Sequence, residues 1–223
     1  MKIRGILFDM DGVILETERL GRAIYIEEAV KRGYPELDEA MYQNLLGLTR
    51  EADCAYLKNV FGEDFPFDEI YDTYRDRLHA LAPAGKLPCR PHVAECFKGL
   101  KERGLLIALA TSTTRPIVES YIKHIPEMQN VFDASVCGGE VPRSKPAPDI
   151  YLEAAKRLGL RPEECLGVED SPNGLKAITA AGARSVFVPD LLPYQEFMAG
   201  TVSYEIEHLG QLCGLIDRIH QED

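Results

Sequence analysis

Short apolar segments of strand length recur along the chain and alternate with longer segments of helical pattern. The strand-like segments are residues 3–8, 105–110, 134–137, 165–168 and 185–188. Two helical segments, 91–103 and 148–158, open with proline and end before glycine, and a third begins at Ser171-Pro172 with serine as its N-cap. This alternation predicts a parallel sheet between helical layers, a Rossmann-like three-layer α/β sandwich.

The segment from residue 16 to about residue 81 breaks the alternation, because it contains no strand-like run. Its pattern predicts four helices instead, at 17–32, 37–46, 49–60 and 67–81. Glycines and prolines separate them, namely Gly33, Gly47, Gly62, Pro35 and Pro66. We therefore predict a helical cap domain, residues 16–82, inserted into an α/β core of residues 1–15 plus 83–223. A helical module at the carboxyl edge of the sheet would act as a lid.

Charge and cysteine usage narrow the class of protein. The formal net charge of −11 over 223 residues disfavours nucleic acid and anionic membranes as partners. The apolar runs are too short for a membrane span, and no basic-then-apolar leader is visible. The six cysteines have no CxxC spacing, so we expect reduced thiols in a cytoplasmic protein. We also expect a monomer whose partner is a small molecule.

Two carboxylates, Asp9 and Asp11, follow the first strand with no lysine or arginine in the next several residues. Their spacing points both side chains to the same side, at the strand end where ligands bind in α/β sheets. One reading of Asp9-Met10-Asp11-Gly12 is a turn in which the carboxylates accept hydrogen bonds from local amides. The other is that a bound cation offsets their mutual repulsion.

Three later stretches place further polar groups at the same predicted edge. Thr111-Ser112 offers hydroxyls and free amides for an anion, or a helix N-cap. Lys145 precedes two prolines that stiffen its backbone, although alone it would read as a solvated loop lysine. Glu169-Asp170 adds an acidic pair beside a helix start, where either carboxylate would also favour the helix dipole. Together these groups suit Mg²⁺ and phosphoryl transfer.

These residues carry a resemblance to a known family. They are Asp9-x-Asp11-Gly12-Val13, Thr111-Ser112, Ser144-Lys145-Pro146-x-Pro148-Asp149 and Glu169-Asp170-Ser171. In this order they resemble the four motifs of the haloacid dehalogenase superfamily. The chain is most similar to its β-phosphoglucomutase-like phosphatase branch, whose helical cap is inserted after the first motif. The resemblance spans nearly the whole chain.

The resemblance implies a role for each matching position. Asp9 would be the nucleophile that forms an aspartyl-phosphate, and Asp11 the general acid and then base. Thr111 and the Ser112 amide would hold the transferring phosphoryl group, and Lys145 would bridge it and the nucleophile. The implied cofactor is Mg²⁺. Its ligands would be Asp9, the Asp11 backbone carbonyl, Asp170 and Glu169, the last bound either directly or through another group.

Some positions depart from the family's pattern. Glu16 stands where aspartate is usual, at the first hinge into the cap, and Gly139 replaces a common acidic residue. The histidine that shuttles sugar protons in the mutase branch is matched by Gly21. A cap lysine of that branch is matched by Leu46.

The glycine and arginine of the branch's substrate loop match Gly47 and Arg50. Arg50 is therefore predicted to contact the substrate, with a solvated arginine as the alternative. The five histidines lie outside the motifs, so we expect them either at the protein surface or in contact with site residues rather than with the substrate.

The function that we predict is a Mg²⁺-dependent phosphatase acting on a small phosphorylated metabolite, and the substrate class that we predict is a sugar phosphate. A sugar-phosphate mutase is the alternative within enzymes. A binding or regulatory protein that keeps the site without turnover is the alternative from another class. Haloacid dehalogenation is disfavoured, because that chemistry needs neither a metal nor the second aspartate, and both Asp11 and Asp170 are present.

Overall fold

A six-stranded parallel sheet forms the centre of the computed structural model, which describes residues 2–222. The spatial order of its strands is β3-β2-β1-β4-β5-β6. The strands are β1 (Gly5–Phe8), β2 (Leu106–Thr114), β3 (Ala134–Gly138), β4 (Cys165–Glu169), β5 (Arg184–Phe187) and β6 (Tyr204–Glu205). Every neighbouring pair is parallel. The predicted fold class is confirmed, and the two-residue strand β6 is an addition to it.

Nine α-helices accompany the sheet within the described residues. They are α1 (Thr17–Lys31), α2 (Glu39–Tyr42), α3 (Arg50–Phe61), α4 (Phe67–His79), α5 (Val93–Glu102), α6 (Arg115–His124), α7 (Asp149–Arg157), α8 (Pro172–Ala180) and α9 (Leu212–Glu222). Alternate residues of the central strand face opposite layers, as the strand period of two requires. Ile6 and Phe8 pack with α5, α6 and α9, whereas Leu7 packs with α7 and α8.

The segment between β1 and α5 is helical, as predicted, and has a hydrophobic cluster of its own around Tyr25, Leu57 and Phe67. The helix predicted at 37–46 is wrong in length. Here α2 covers one turn, a 3₁₀ turn follows at Gln43–Leu45, and Leu46 has an extended ψ of 123°. The chain turns there because Gly47 adopts a φ of +80°. The division into domains at residues 16 and 82 stays a prediction.

Two elements of the core differ from the predicted pattern. Helix α5 begins at Val93 rather than Pro91, because His92 has a left-handed φ of +67°. Helix α9 was not predicted, and its buried face closes one layer of the sandwich. Across the described part of the chain, no helix combines the length and apolarity that crossing a membrane requires.

Candidate active site

A cavity of about 630 Å³ lies between the carboxyl edge of the sheet and the helices α1, α3 and α4. Most of the residues that the motifs predicted line it, namely Asp9, Asp11, Arg50, Ser112, Lys145, Glu169 and Asp170. Thr111 is fully buried beside them. Parallel strands end at one edge, which is why segments far apart in sequence meet here.

A buried ion pair joins the first and third motifs. The Lys145 ammonium lies 2.5 Å from Asp9 Oδ1 and 2.7 Å from Glu169 Oε1. It also lies 5.0 Å from the centroid of the Tyr151 ring, in a cation–π contact. Burial lowers the pKa of Lys145, but the two carboxylates outweigh it and hold the pKa well above its usual value. Lys145 is therefore a permanent positive charge beside Asp9.

Both carboxylate oxygens of Glu169 are occupied by protein donors. Oε1 accepts from Lys145 and, at 2.9 Å, from the Tyr151 hydroxyl. Oε2 accepts from the Asp170 amide and from the amide and hydroxyl of Ser171. The close packing needs glycine at 174, since a Cβ there would lie 1.6 Å from Glu169 Oε1. Glu169 thus holds Lys145 and the start of α8 in place.

The Asp170 carboxylate differs from that of Glu169 in its hydrogen bonding. Among residues 2–222, no donor forms a hydrogen bond to its carboxylate. Burial raises its pKa well above the usual value, and Glu169 and Asp9 raise it further. Gly12, at a φ of +76°, allows the approach, because a Cβ would lie 2.2 Å from Asp170 Oδ2. An acceptor without donors, held beside a second carboxylate, fits a cation.

Carboxylate oxygens of Asp9, Glu169 and Asp170 lie within 4.8 Å of one another. Burial raises the pKa of Asp9 as well, with Glu169 and Asp11 adding to the rise and Lys145 opposing it. In total, seven aspartates and glutamates line the cavity against three lysines and arginines. The potential metal ligands are hard carboxylate oxygens with an excess of negative charge, and such ligands suit Mg²⁺.

Asp11 is held by threonine hydroxyls at the carboxyl end of strand β2. Thr113 Oγ1 donates to Asp11 Oδ2 at 2.8 Å, and Thr111 Oγ1 lies 3.5 Å from the same oxygen. Thr111 Oγ1 also accepts from the Thr113 amide at 3.1 Å. Thr113 was not among the predicted site residues, although its hydroxyl directly follows Thr111-Ser112 in the sequence, and that position was the available signal. The exposed Ser112 faces the cavity next to this pair.

The cap supplies the opposite wall of the cavity. Arg50 lies 2.5 Å from Asp68 and stacks over Tyr71, with 4.8 Å between the guanidinium carbon and the ring centroid. Arg75 and His79 of α4 also line the wall, and the sequence reasoning missed both. Contrary to the expectation for histidines, His79 lies in the site. Its Nδ1 lies 2.7 Å from the Tyr121 hydroxyl, and burial lowers its pKa.

Comparisons with known proteins agree with this architecture. A model of the haloacid dehalogenase-like hydrolase family matches residues 3–182. Protein CbbY of Cereibacter sphaeroides is 33% identical over 222 residues, covering 96% of each chain. Hexitol phosphatase B of Escherichia coli is 30% identical over 190 residues, covering 84% of each chain.

A solved structure is similar over nearly the whole chain. It is a mutant of CbbY from Rhodobacter sphaeroides in complex with xylulose-(1,5)bisphosphate, at a TM-score of 0.75 and 30% identity. The superposition covers 94% of this chain and 96% of that chain. The chain therefore belongs to the haloacid dehalogenase-like hydrolase family. The predicted enzyme class, a phosphatase of this family, is confirmed.

Proposed function

We propose that the protein is a Mg²⁺-dependent phosphatase that hydrolyses a small sugar phosphate through an aspartyl-phosphate on Asp9. The observation that carries the proposal is the pairing at the floor of the cavity. A buried nucleophile candidate, Asp9, is ion-paired to Lys145 and lies beside Asp170, whose carboxylate accepts no hydrogen bond from residues 2–222. Phosphoryl transfer needs this combination of a nucleophile, a fixed cation and a metal site.

In the proposed first step, a carboxylate oxygen of Asp9 attacks phosphorus and the bond from phosphorus to the leaving oxygen breaks. Asp11 donates the proton that the leaving oxygen takes, with its carboxyl oriented by Thr113. Asp11 then accepts a proton from water, which attacks phosphorus and releases Asp9. Lys145 offsets the charge of the phosphoryl oxygens throughout. Ser112 provides a backbone amide at the same edge.

Asp9 and Asp170 would hold Mg²⁺, with the Asp11 backbone carbonyl as a further ligand. The ion would neutralise phosphoryl oxygens that approach an otherwise acidic cavity. Glu169 would act on the metal site indirectly, because its two oxygens already accept five hydrogen bonds.

The sugar assignment rests on the cap wall and on the relatives. Burial raises the pKa of Glu18 and that of Asp53 to about 7, and both carboxyl groups line the cavity. Carboxyl groups in a cavity are good partners for sugar hydroxyls. The relatives named above include a hexitol phosphatase and a protein crystallised with a sugar bisphosphate. Arg50 remains a proposed substrate contact, although it would have to leave Asp68 to bind phosphate directly.

The direct test is release of inorganic phosphate from a panel of sugar phosphates, nucleotides and small phosphoesters, with and without Mg²⁺. We expect Mg²⁺-dependent release from the sugar phosphates and its loss in chelator. Absence of phosphate release from every compound of the panel would instead favour the binding or regulatory protein.

A second assay separates phosphatase from mutase. With β-glucose 1-phosphate as substrate, free phosphate should appear at the rate at which substrate disappears. The reason is that Gly21 and Leu46 line the cavity, and neither residue has a side chain that can transfer a proton or pair with phosphate. Stoichiometric glucose 6-phosphate without phosphate release would replace the phosphatase by the mutase.

Replacing each of the two acidic residues of the fourth motif by its amide should separate their roles in binding Mg²⁺ and in catalysis. Asp170→Asn should raise the Mg²⁺ concentration for half-maximal activity by at least about 10-fold, since it alters a direct ligand. Glu169→Gln should change that concentration less than about 3-fold and lower kcat instead, because it disturbs Lys145. Activity titrated against Mg²⁺ measures both. Equal shifts in the two variants would place both carboxylates on the metal.

The proposal includes three further expectations, on domain organisation, cellular location and oligomeric state. Residues 16–82 would form a cap domain that opens and closes over the core, and the protein would be a cytoplasmic monomer. The separate hydrophobic cluster of the cap supports the division. Sedimentation at several protein concentrations tests the monomer, and a concentration-dependent mass would contradict it.

A further inference from the structure

One buried side chain touches both Lys145 and Glu169 but has no part in the chemical steps proposed above. Tyr151 lies in the first turn of α7 and is fully buried. Its hydroxyl donates to Glu169 Oε1 at 2.9 Å, and its ring centroid lies 5.0 Å from the Lys145 ammonium. Because Lys145 also binds Glu169 Oε1, the three side chains form one closed cluster.

The Tyr151 hydroxyl keeps its proton in this cluster. Burial raises the pKa of Tyr151 well above its usual value and the charge of Glu169 raises it further, whereas the charge of Lys145 and a hydrogen bond with it oppose the rise. A protonated hydroxyl has one proton to donate and lone pairs that accept. The Tyr151 hydroxyl therefore contacts the carboxylate as a donor and the ammonium as an acceptor.

Packing alone does not require tyrosine at this position. The Tyr151 ring belongs to a hydrophobic cluster around α7 and α8 that otherwise consists of aliphatic side chains and Cys165. Phenylalanine would fill the same space without burying a polar group, and a buried hydroxyl is costly unless it is hydrogen-bonded. The hydroxyl therefore matters for its two partners, Glu169 and Lys145.

Lys145 needs such a contact because two buried carboxylates compete for its ammonium. Asp9 Oδ1 lies 2.5 Å from it and Glu169 Oε1 lies 2.7 Å from it. A lysine side chain is a point charge on a flexible stem, so the balance between its partners sets its position. By donating to Glu169 Oε1, Tyr151 offsets part of the charge on that oxygen and weakens its attraction for the ammonium. The ammonium then stays beside Asp9.

We propose that Tyr151 is a positioning residue, which holds the Lys145 ammonium beside Asp9 through its ring and through its hydrogen bond to Glu169. Tyr151 does not line the cavity, so it acts through Lys145 and not on the substrate. This inference rests on the proposed function and deepens it. A residue outside the sequence motifs then controls where the positive charge meets the transferred phosphoryl group.

Two substitutions of Tyr151 remove its contacts one at a time. Tyr151→Phe removes the hydroxyl and keeps the ring, so Lys145 is drawn toward Glu169. With the sugar phosphate that the wild type hydrolyses fastest, kcat should fall by about 10-fold. KM and the Mg²⁺ concentration for half-maximal activity should change less than about 3-fold, because the charge acts mainly in the transition state. Tyr151→Leu also removes the cation–π contact and should lower kcat by about 100-fold.

Tyr204→Phe is the matched control. It makes the same chemical change at a hydroxyl of β6 that accepts from Arg184 away from the cavity, and it should keep the kcat of the wild type. Melting temperatures measure the stability of each variant. If Tyr151→Phe loses stability but keeps its kcat, Tyr151 has a purely structural role and the proposal is wrong.

Binding of orthovanadate provides a readout that does not depend on turnover, because its five-coordinate adducts resemble the transition state of phosphoryl transfer. Calorimetry with Mg²⁺ should show orthovanadate binding about 10-fold weaker in Tyr151→Phe than in the wild type. That loss in a protein that hydrolyses no compound would reject the proposed phosphatase and keep the role of Tyr151. Equal affinities in the two proteins would reject the role of Tyr151 even in an active phosphatase. Absence of both hydrolysis and orthovanadate binding in the wild type would reject both.

Discussion

Asp9→Asn is expected to lower kcat by at least about 10⁴-fold while the protein stays folded. Asparagine is nearly isosteric with aspartate, but its amide carries no charge to attack phosphorus and is a poor ligand for Mg²⁺. Phosphate release under saturating substrate and Mg²⁺ measures the loss. Retained activity in this variant would remove Asp9 as the nucleophile.

The folded state of Asp9→Asn should persist because Lys145 keeps its second partner, Glu169, at 2.7 Å. Removing one carboxylate also relieves repulsion with Asp170 when no metal is bound, so the melting temperature should not fall in metal-free buffer. Asp217→Asn is a suitable control. It makes the same chemical change in α9, where Asp217 pairs with Arg103 away from the cavity, and it should keep full activity.

The sheet was predictable because its strands are buried and short, and each reads as an apolar run between turn residues. The missed helix α9 did carry a signal, since Leu212, Leu215, Ile216 and Ile219 recur at helical spacing and are buried. Strand β6 carried none, because two residues with one partner strand have no periodicity to detect.

The floor of the site was predictable for a topological reason. Its residues lie at the carboxyl ends of parallel strands or directly after them, and such strand ends must meet at one edge of the sheet. The cap wall of the cavity was not predictable from the sequence. Arg75 and His79 reach the cavity because α4 packs on α1, and no spacing in the chain indicates that contact. Tyr151 was missed likewise, since its hydroxyl reaches Glu169 from inside α7.

Lys145→Met is expected to lower kcat by at least about 10³-fold and to destabilise the protein by about 3–5 kcal/mol. The variant leaves Asp9 and Glu169 as buried carboxylates without their shared cation, at side-chain exposures of 11% and 1%. For a chain of this length the melting temperature should fall by about 10 °C. Thermal unfolding without metal measures the stability, and phosphate release with Mg²⁺ measures the activity.

A second substitution separates the structural role of Lys145 from its chemical role. In Lys145→Met/Glu169→Gln, the glutamine oxygen can accept from Ser171 and its amide can donate to the Tyr151 hydroxyl oxygen. The double variant should therefore recover most of the lost stability while kcat stays low, because no cation faces the phosphoryl group. Recovery of activity together with stability would show that Lys145 serves only to hold the site in place. Failure to recover stability would mean that the unpaired charge of Asp9, rather than that of Glu169, dominates the loss.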